Sequence, residues 1–249
     1  MPAPFPAPPI CVIGDLHGRS DLLQAMLARI DLRDPAGRAR CIFAGDLIDR
    51  GPDSATVLEI VHSLCRQNPS SWICLAGNHE WMMLEFLDDP AGSGPRWFSA
   101  GGEATLLSYG LSLPHRNTDE DLFTLAQALK QALSQNMIDW LRNLPLYWQE
   151  DHVVVAHAGA DPSFPPEEQD AASLLWGRRK ARRNRHGDKW IIQGHVSHSS
   201  PVVRGATIHV DTGAWSSGKL TAAWLEPGMT APEWITVTDD QANLFRSRL

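Results

Sequence analysis

No apolar run approaches the roughly 18 residues that a membrane span needs. The start, Met1-Pro2-Ala3-Pro4-Phe5-Pro6-Ala7-Pro8-Pro9, lacks both the basic segment and the apolar stretch of a secretory signal, so a cytoplasmic protein is expected. A basic surplus is missing too: 22 Lys and Arg stand against 29 Asp and Glu, a net charge of −7. That argues against a dedicated nucleic-acid-binding module, which needs a positive surface. Cysteine is scarce, with four residues and no CxxC pair, which speaks against a zinc ribbon or a thioredoxin motif. Cys11, Cys41 and Cys74 lie in short apolar runs and read as buried small hydrophobes. What the chain has in quantity is apolar: 43% of 249 residues, against 20% charged. That suffices for a sizeable core and is too much for wholesale disorder.

The apolar residues come in a rhythm. Residues 1–9 read as a loose proline-rich tail, and 10–249 as a single domain. Ile10-Cys11-Val12-Ile13 ends in Gly14-Asp15, and Ser20 can cap a helix whose Leu22, Leu23, Met26, Leu27 and Ile30 share one face. Cys41-Ile42-Phe43-Ala44 ends in Gly45-Asp46, and a helix is expected from about Pro52-Asp53. Trp72–Ala76 ends in Gly77-Asn78 before an apolar helix around Met82–Leu87. Strand, polar loop and helix, three times over, predict an α/β fold with parallel neighbours. The periodicity of Leu122–Leu144 predicts helix. His152–Ala156 reads as a further strand, ending in His157-Ala158-Gly159. Four strand-like segments, Trp190–Gln193, Thr207–Val210, Leu220–Leu225 and Trp234–Val237, close the chain and suggest an antiparallel section. The whole reads as one domain built around two sheets.

Polar residues fall directly after the apolar runs: Asp15 and His17, Asp46 and Asp49-Arg50, Asn78-His79, His157, and His195. In open α/β sheets, sites gather at the carboxyl ends of strands. Two Asp, three His and one Asn are more ligands than one metal uses while leaving room for a substrate. Two divalent metals sharing a carboxylate would use them, and mixed oxygen and nitrogen donors suit Mn, Fe, Zn or Co rather than Ca. Such a pair clamps the attacking and leaving oxygens of a phosphoryl displacement.

Gly14-Asp15-Leu16-His17-Gly18, Gly45-Asp46-Leu47-Ile48-Asp49-Arg50-Gly51, Gly77-Asn78-His79-Glu80, His157-Ala158-Gly159 and Gly194-His195 stand in this order. Together they resemble the motif set of the PPP-type serine/threonine protein phosphatases, in their bacterial form, within the calcineurin-like metallophosphoesterases. The resemblance runs from residue 10 to about 225, and diadenosine tetraphosphatases share the same motifs. It implies a two-sheet β-sandwich flanked by helices and two divalent metal ions, manganese first. Asp15 and His17 would bind one metal, Asp46 both, and Asn78, His157 and His195 the other. His79 would protonate the leaving oxygen, as an imidazole titrating near neutral pH can, and Asp49 would hold it charged. Arg50 would grip phosphate oxygens alongside Asn78, since guanidinium matches them bidentately. The second phosphate-binding arginine would be Arg178 in Leu174-Leu175-Trp176-Gly177-Arg178, with Arg179 as the alternative.

The implied reaction is hydrolysis of a phosphomonoester by metal-activated hydroxide. A phosphorylated protein is the first substrate, and a dinucleoside polyphosphate or another small phosphate compound the alternative. A non-catalytic protein on this fold would need a lost ligand, and none is lost. His209 rivals His195 as a ligand, and His198 reads as a rim residue. His62, His115, His152 and His186 read as ordinary surface or helix residues. The run Arg178–Arg185 reads either as a solvated loop or as a positive edge that draws in anionic substrate. Most tryptophans fall in apolar segments, with Trp81, Trp97 and Trp176 expected to line the cleft. The sequence is silent on oligomeric state.

Overall fold

The computed structural model describes residues 4–114, 116, 118–177 and 189–246. Its first half follows the βα rhythm: β1 (Ile10–Ile13), α1 (Ser20–Arg33), β2 (Arg40–Phe43), α2 (Ser54–Gln67), β3 (Trp72–Cys74) and α3 (Asn78–Asp88). Helices α4 (Pro90–Ser99), α5 (Gly102–Ser108), α6 (Asp119–Leu133) and α7 (Gln135–Arg142) fill the middle. There follow β4 (Tyr147–Glu150), β5 (Val153–Ala156), a 3-10 turn at Pro166–Glu168, α8 (Ala171–Trp176), β6 (Trp190–Gln193), β7 (Val202–Arg204) and β8 (Thr207–His209). The chain closes with α9 (Ala214–Ser217), β9 (Lys219–Leu225), β10 (Glu233–Thr238) and α10 (Asp239–Arg246).

The strands form two five-stranded sheets, ordered β10-β9-β1-β2-β3 and β4-β5-β6-β8-β7. β1, β2 and β3 pair in parallel, as the repeated rhythm predicts. Side chains alternate across each strand. Ile10, Val12 and Ile42 of the first sheet therefore meet Val153, Val155, Ile192 and Ile208 of the second in one apolar layer. Cys11, Ile13, Cys41, Phe43 and Cys74 point the other way, into a second layer under the helices. The three strand cysteines are buried free thiols within this packing. The outcome is the expected α/β sandwich of two sheets flanked by helices. No helix among the described residues is long and apolar enough to cross a membrane.

Four local expectations need correction. Ser20 is the first helical residue rather than a cap, and its hydroxyl donates to Asp53 at 2.5 Å. The Leu122–Leu144 periodicity belongs to two helices, broken at Ser134, whose φ of 66° stops α6 and whose side chain accepts from Met137 N to start α7. Of the expected antiparallel section, β9 and β10 do pair antiparallel, but β6 and β8 run parallel, because β7, unread in the sequence, reverses the chain between them and pairs antiparallel with β8. The proline-rich start is not loose at Phe5, which is buried with its ring 5.1 Å from that of Trp190.

Phe5 therefore acts as part of the inter-sheet layer. Phe5→Ala is expected to cost about 3 kcal/mol, the low end for a buried aromatic truncated to Ala. Urea denaturation reads this directly, and a loss under about 0.5 kcal/mol, the size of ordinary surface effects, would restore the loose-tail view.

Candidate active site

Each candidate side chain sits just past the carboxyl end of a strand, or opens the helix that follows it. Asp15 and His17 follow β1, Asp46 follows β2, Asn78 opens α3, His157 follows β5 and His195 follows β6. Main-chain hydrogen bonds join the first two loops: Leu16 N and His17 N both donate to Asp46 O, at 3.0 and 2.9 Å, and Gly18 N donates to Leu47 O. The backbone is bent to aim these groups. Of seven described non-glycine residues with positive φ, five are His17, Asp46, Asp49, Arg50 and His195. Such conformations cost about 1–3 kcal/mol each and persist where surrounding structure over-determines them. Gly194 has a steric role: a Cβ there would lie 1.9 Å from Asp15 Oδ1.

The donors converge on Asp46. Asn78 Oδ1 is 2.9 Å from His157 Nε2 and 2.8 Å from His195 Nδ1, and these two nitrogens are 3.2 Å apart. His157 Nε2 is 3.4 Å from Asp46 Oδ1. The other Asp46 oxygen, Oδ2, faces His17 Nε2 at 3.6 Å and His79 Nε2 at 3.9 Å. Two groups of donors able to hold a metal result, His17–Asp46–His79 and Asp46–His157–His195, with Asp46 in both. His17 and His157 each place Nδ1 on a carbonyl oxygen, of Ile48 and Ala44. Only a protonated Nδ1 can make those bonds, which turns each Nε2 toward the centre.

Electrostatics follow from the crowding. Burial pushes the Asp15 carboxyl well above the usual range, and Asp211 and Asp46 push it further. Burial also opposes ionisation of Asp46, but His157, His79 and His17 outweigh it and hold the carboxyl well below its ordinary value. Burial works against a charge on His157, yet Asp46 and Asp15 raise it to about 10. His79 is raised in the same way, with burial overcome by Asp46 and Asp49. His17 and His195 are pushed down by burial, to about 3 and about 4. His79 Nδ1 lies 2.7 Å from Asp49 Oδ2. Arg50 fills the gap between two imidazoles, with Nη1 3.1 Å from His17 Nε2 and Nη2 3.0 Å from His79 Nε2.

Arg178 and Arg179, the rest of the basic run, His115 and His186 lie outside the described residues. His209 joins neither donor group and packs instead against His198, ring centroids 4.9 Å apart. Trp97 does not line the cleft: it is fully buried, and its Nε1 donates to Asp49 Oδ2 at 2.9 Å. Trp81 and Trp176 meet edge to face at 6.5 Å.

Residues 8–199 match the model of the calcineurin-like phosphoesterase family. The chain belongs to that family. Over 236 residues, 86% of this chain and 87% of the relative, it is 26% identical to the bis(5'-nucleosyl)-tetraphosphatase PrpE (asymmetrical) of Oceanobacillus iheyensis. A crystal structure provisionally described as a diadenosine tetraphosphatase superposes with a TM-score of 0.63, at 19% identity, over 95% of this chain and 96% of its own. A serine/threonine phosphatase of Saccharomyces cerevisiae, described as similar to human phosphatase PP5, does so with 0.57, at 17%, over 94% and 80%. These two structures share the fold.

Calcineurin-like phosphoesterases work with divalent metals, and the residues here fit such ions. Donors bonded at about 2.1 Å to one ion sit about 3.0–3.4 Å apart in octahedral or tetrahedral arrangements, close to the 2.8–3.4 Å measured around Asn78, His157, His195 and Asp46. Asp15 Oδ1 is buried without a hydrogen-bond partner, as a carboxylate oxygen reserved for a cation would be.

The family motifs left the supporting residues unread. Glu80 accepts from four main-chain N–H groups: Asp46 and Gly77 on Oε2, Leu47 and Ile48 on Oε1, at 2.8–3.3 Å. It ties the Asp46 loop to the start of α3. Burial and nearby Asp46 push its carboxyl up to about 7. Thr105 of α5 donates to Asp49 Oδ1 at 2.6 Å. Asp211 accepts from Ser197 Oγ and Gly213 N and so steadies the loop that follows His195. Only Glu80 had a signal in the sequence, as the last residue of Gly77-Asn78-His79-Glu80. Glu80→Gln replaces one double acceptor by an NH₂ facing N–H donors. It is expected to cost about 2–4 kcal/mol, from two orphaned donors, and to weaken manganese binding. Urea denaturation and metal titration check both, and an unchanged stability would remove the clamp.

Proposed function

We propose that this chain is a dinuclear-metal phosphoesterase whose substrate is a dinucleoside polyphosphate. One observation carries the chemistry: the two oxygens of a single buried carboxylate, Asp46, face two separate donor groups, with the Arg50 guanidinium beside them. The dinucleotide follows the tetraphosphatase relatives, which align along most of the chain. Phosphoserine or phosphothreonine protein is the second reading, favoured by the motif set from Asp15 to His195.

Asp15, His17 and Asp46 would hold one ion, and Asp46, Asn78, His157 and His195 the other. When bound, such ions supply an activated water and neutralise charge on the phosphate oxygens. Manganese is the first choice. Arg50 would grip the equatorial oxygens with its two outer nitrogens, since the fork that spans His17 and His79 matches two phosphate oxygens. Arg178, or Arg179, would add the second guanidinium. His79 Nε2 points to the same space, and Asp49 fixes the opposite ring nitrogen. That pairing favours the charged ring, so that once Arg50 turns from Nε2 to the phosphate, Nε2 can carry the proton for the departing oxygen. Trp97 and Thr105 hold Asp49 from behind, so the acid is positioned by buried residues that never meet the substrate.

A side-by-side rate assay in manganese tests the substrate. Diadenosine tetraphosphate should be cleaved far faster than a phosphoserine/phosphothreonine peptide, with both rates abolished by chelator. A preference for the peptide would move the chain to the second reading. His79→Asn should lower kcat by about 10²–10⁴-fold, the usual contribution of a general acid, with metal content unchanged. Loss of bound metal in that variant would instead make His79 a ligand, consistent with its place in the His17–Asp46–His79 group.

A further inference from the structure

A cavity of about 370 Å³ opens beside the donor groups, and nothing in the reaction as derived uses it. It lies against the outer face of the second sheet. Ile192 and Ile208 point into the sandwich, so their neighbours in β6 and β8, Ile191, Gln193 and Thr207, line the opposite side. Ile191 and Thr207 are register partners, so they present a continuous floor. His195 forms the wall shared with the Asp46–His157–His195 group, and Trp176, at the end of α8, borders the other side.

Two of these residues have the character of a recognition pair. Trp176 is held from outside the cavity: the Arg96 guanidinium carbon sits 5.1 Å from its ring centroid and Trp81 meets it edge-on. Gln193 makes no side-chain hydrogen bond among the described residues, although it is half-buried. Its amide rests against Gly159, whose φ is +89° and where a Cβ would come within 2.3 Å of Gln193 Oε1. The loop after β5 therefore leaves room for a carboxamide at this position. A carboxamide offers an acceptor and two donors together, the pattern that pairs with the edge of adenine. A pinned indole offers a stacking surface, and base–aromatic stacking tolerates any base. The cavity mixes apolar walls such as Ile191 and Val196 with polar groups, Asp161, Gln169 and Ser173 among them, and a concave site of this size with polar groups that fix orientation suits a small molecule.

We infer that this cavity binds a nucleobase, with Trp176 stacking on the ring and Gln193 reading its edge, so that one nucleoside of the substrate is anchored beside His195. The inference rests on the dinucleotide reading and deepens it. A phosphopeptide or a simple aryl phosphate would gain nothing from the carboxamide.

The test uses the full-length protein with manganese, and the variants Gln193→Leu and Trp176→Ala. Gln193→Leu keeps the side-chain volume, so it carries the test if Trp176→Ala does not fold. Each variant should raise KM for diadenosine tetraphosphate by about tenfold, as loss of one stacked or hydrogen-bonded base does. The ratio of kcat/KM for the dinucleotide over p-nitrophenyl phosphate should fall by the same factor. An equal loss on both substrates means a structural role, and no change on either means an unused cavity; both overturn the inference. A second readout is independent of turnover. Saturation-transfer NMR with adenosine should show ring-proton signals with the unmodified protein that vanish in Gln193→Leu. Adenosine binding that depends on Gln193, without dinucleotide cleavage, would keep the pocket and overturn the proposed function. Cleavage that is indifferent to both substitutions would do the reverse, and absence of both would overturn both.

Discussion

The structure turns on one electrostatic constraint: buried carboxylates must share a small volume with cations. Asp15 and Asp46 lie in the protein interior, where transfer of an unpaired charge from water costs several kcal/mol. Asp46 is kept ionised by the imidazoles around it, and His157 responds by holding its proton to about 10. Arg50 lies across His17 and His79 on the same side. A site built this way favours cations whatever their chemistry. Divalent metals at the same points would discharge the strain between the carboxylates and release the histidine proton, since a ligand imidazole must be neutral.

That constraint explains why the positive-φ residues cluster where the candidate donors converge. Five candidate residues adopt positive φ without being glycine. Asp and His enter this region more readily than most side chains, but at a cost that the surrounding structure must offset. Those conformations are imposed by the zipper between the Asp15 and Asp46 loops and by Glu80, which collects four main-chain donors from the second loop and the start of α3. The sandwich beneath supplies the rigidity. Its first sheet is packed on both faces, so the strand ends that carry Asp15, Asp46 and Asn78 are anchored in one core. Behind His79, Asp49 is held by Trp97 and Thr105 from the helical middle of the chain, which links the His79–Asp49 pair to a segment with no motif of its own.

The parts read correctly from sequence share one property: their signal is local. β1, β2 and β3 are short apolar runs ended by glycine and a polar residue, and the period of the helices that follow is plain. The candidate donors stand out because each comes directly after such a run. The parts misread depend on contacts distant in sequence. β7 is three residues long and shows only in its pairing with β8. The break at Ser134 interrupts a helical period that continues on both sides. Trp97 looked like a cleft residue because a tryptophan near a glycine pair says nothing about which way its indole points. Phe5 sat among prolines, and only the second sheet, more than 180 residues away, provides Trp190 to bury it.

The sequence by itself determined the element types of the first half, the α/β class and the positions of the candidate polar residues at the strand ends. Composition, period and motif spacing are properties of neighbouring residues, and they survive without knowledge of the fold. Only the tertiary structure decided that the two oxygens of Asp46 face different donor groups, that Glu80 and Asp211 hold the loops, and that a cavity with Trp176 and Gln193 opens beside His195. Those facts are relations between strands of two sheets and loops up to 180 residues apart, as in the bond from His195 N to Asp15 Oδ2. Closing contacts of that length costs chain entropy that is recovered only when the whole core packs at once. No local stretch of residues can announce them.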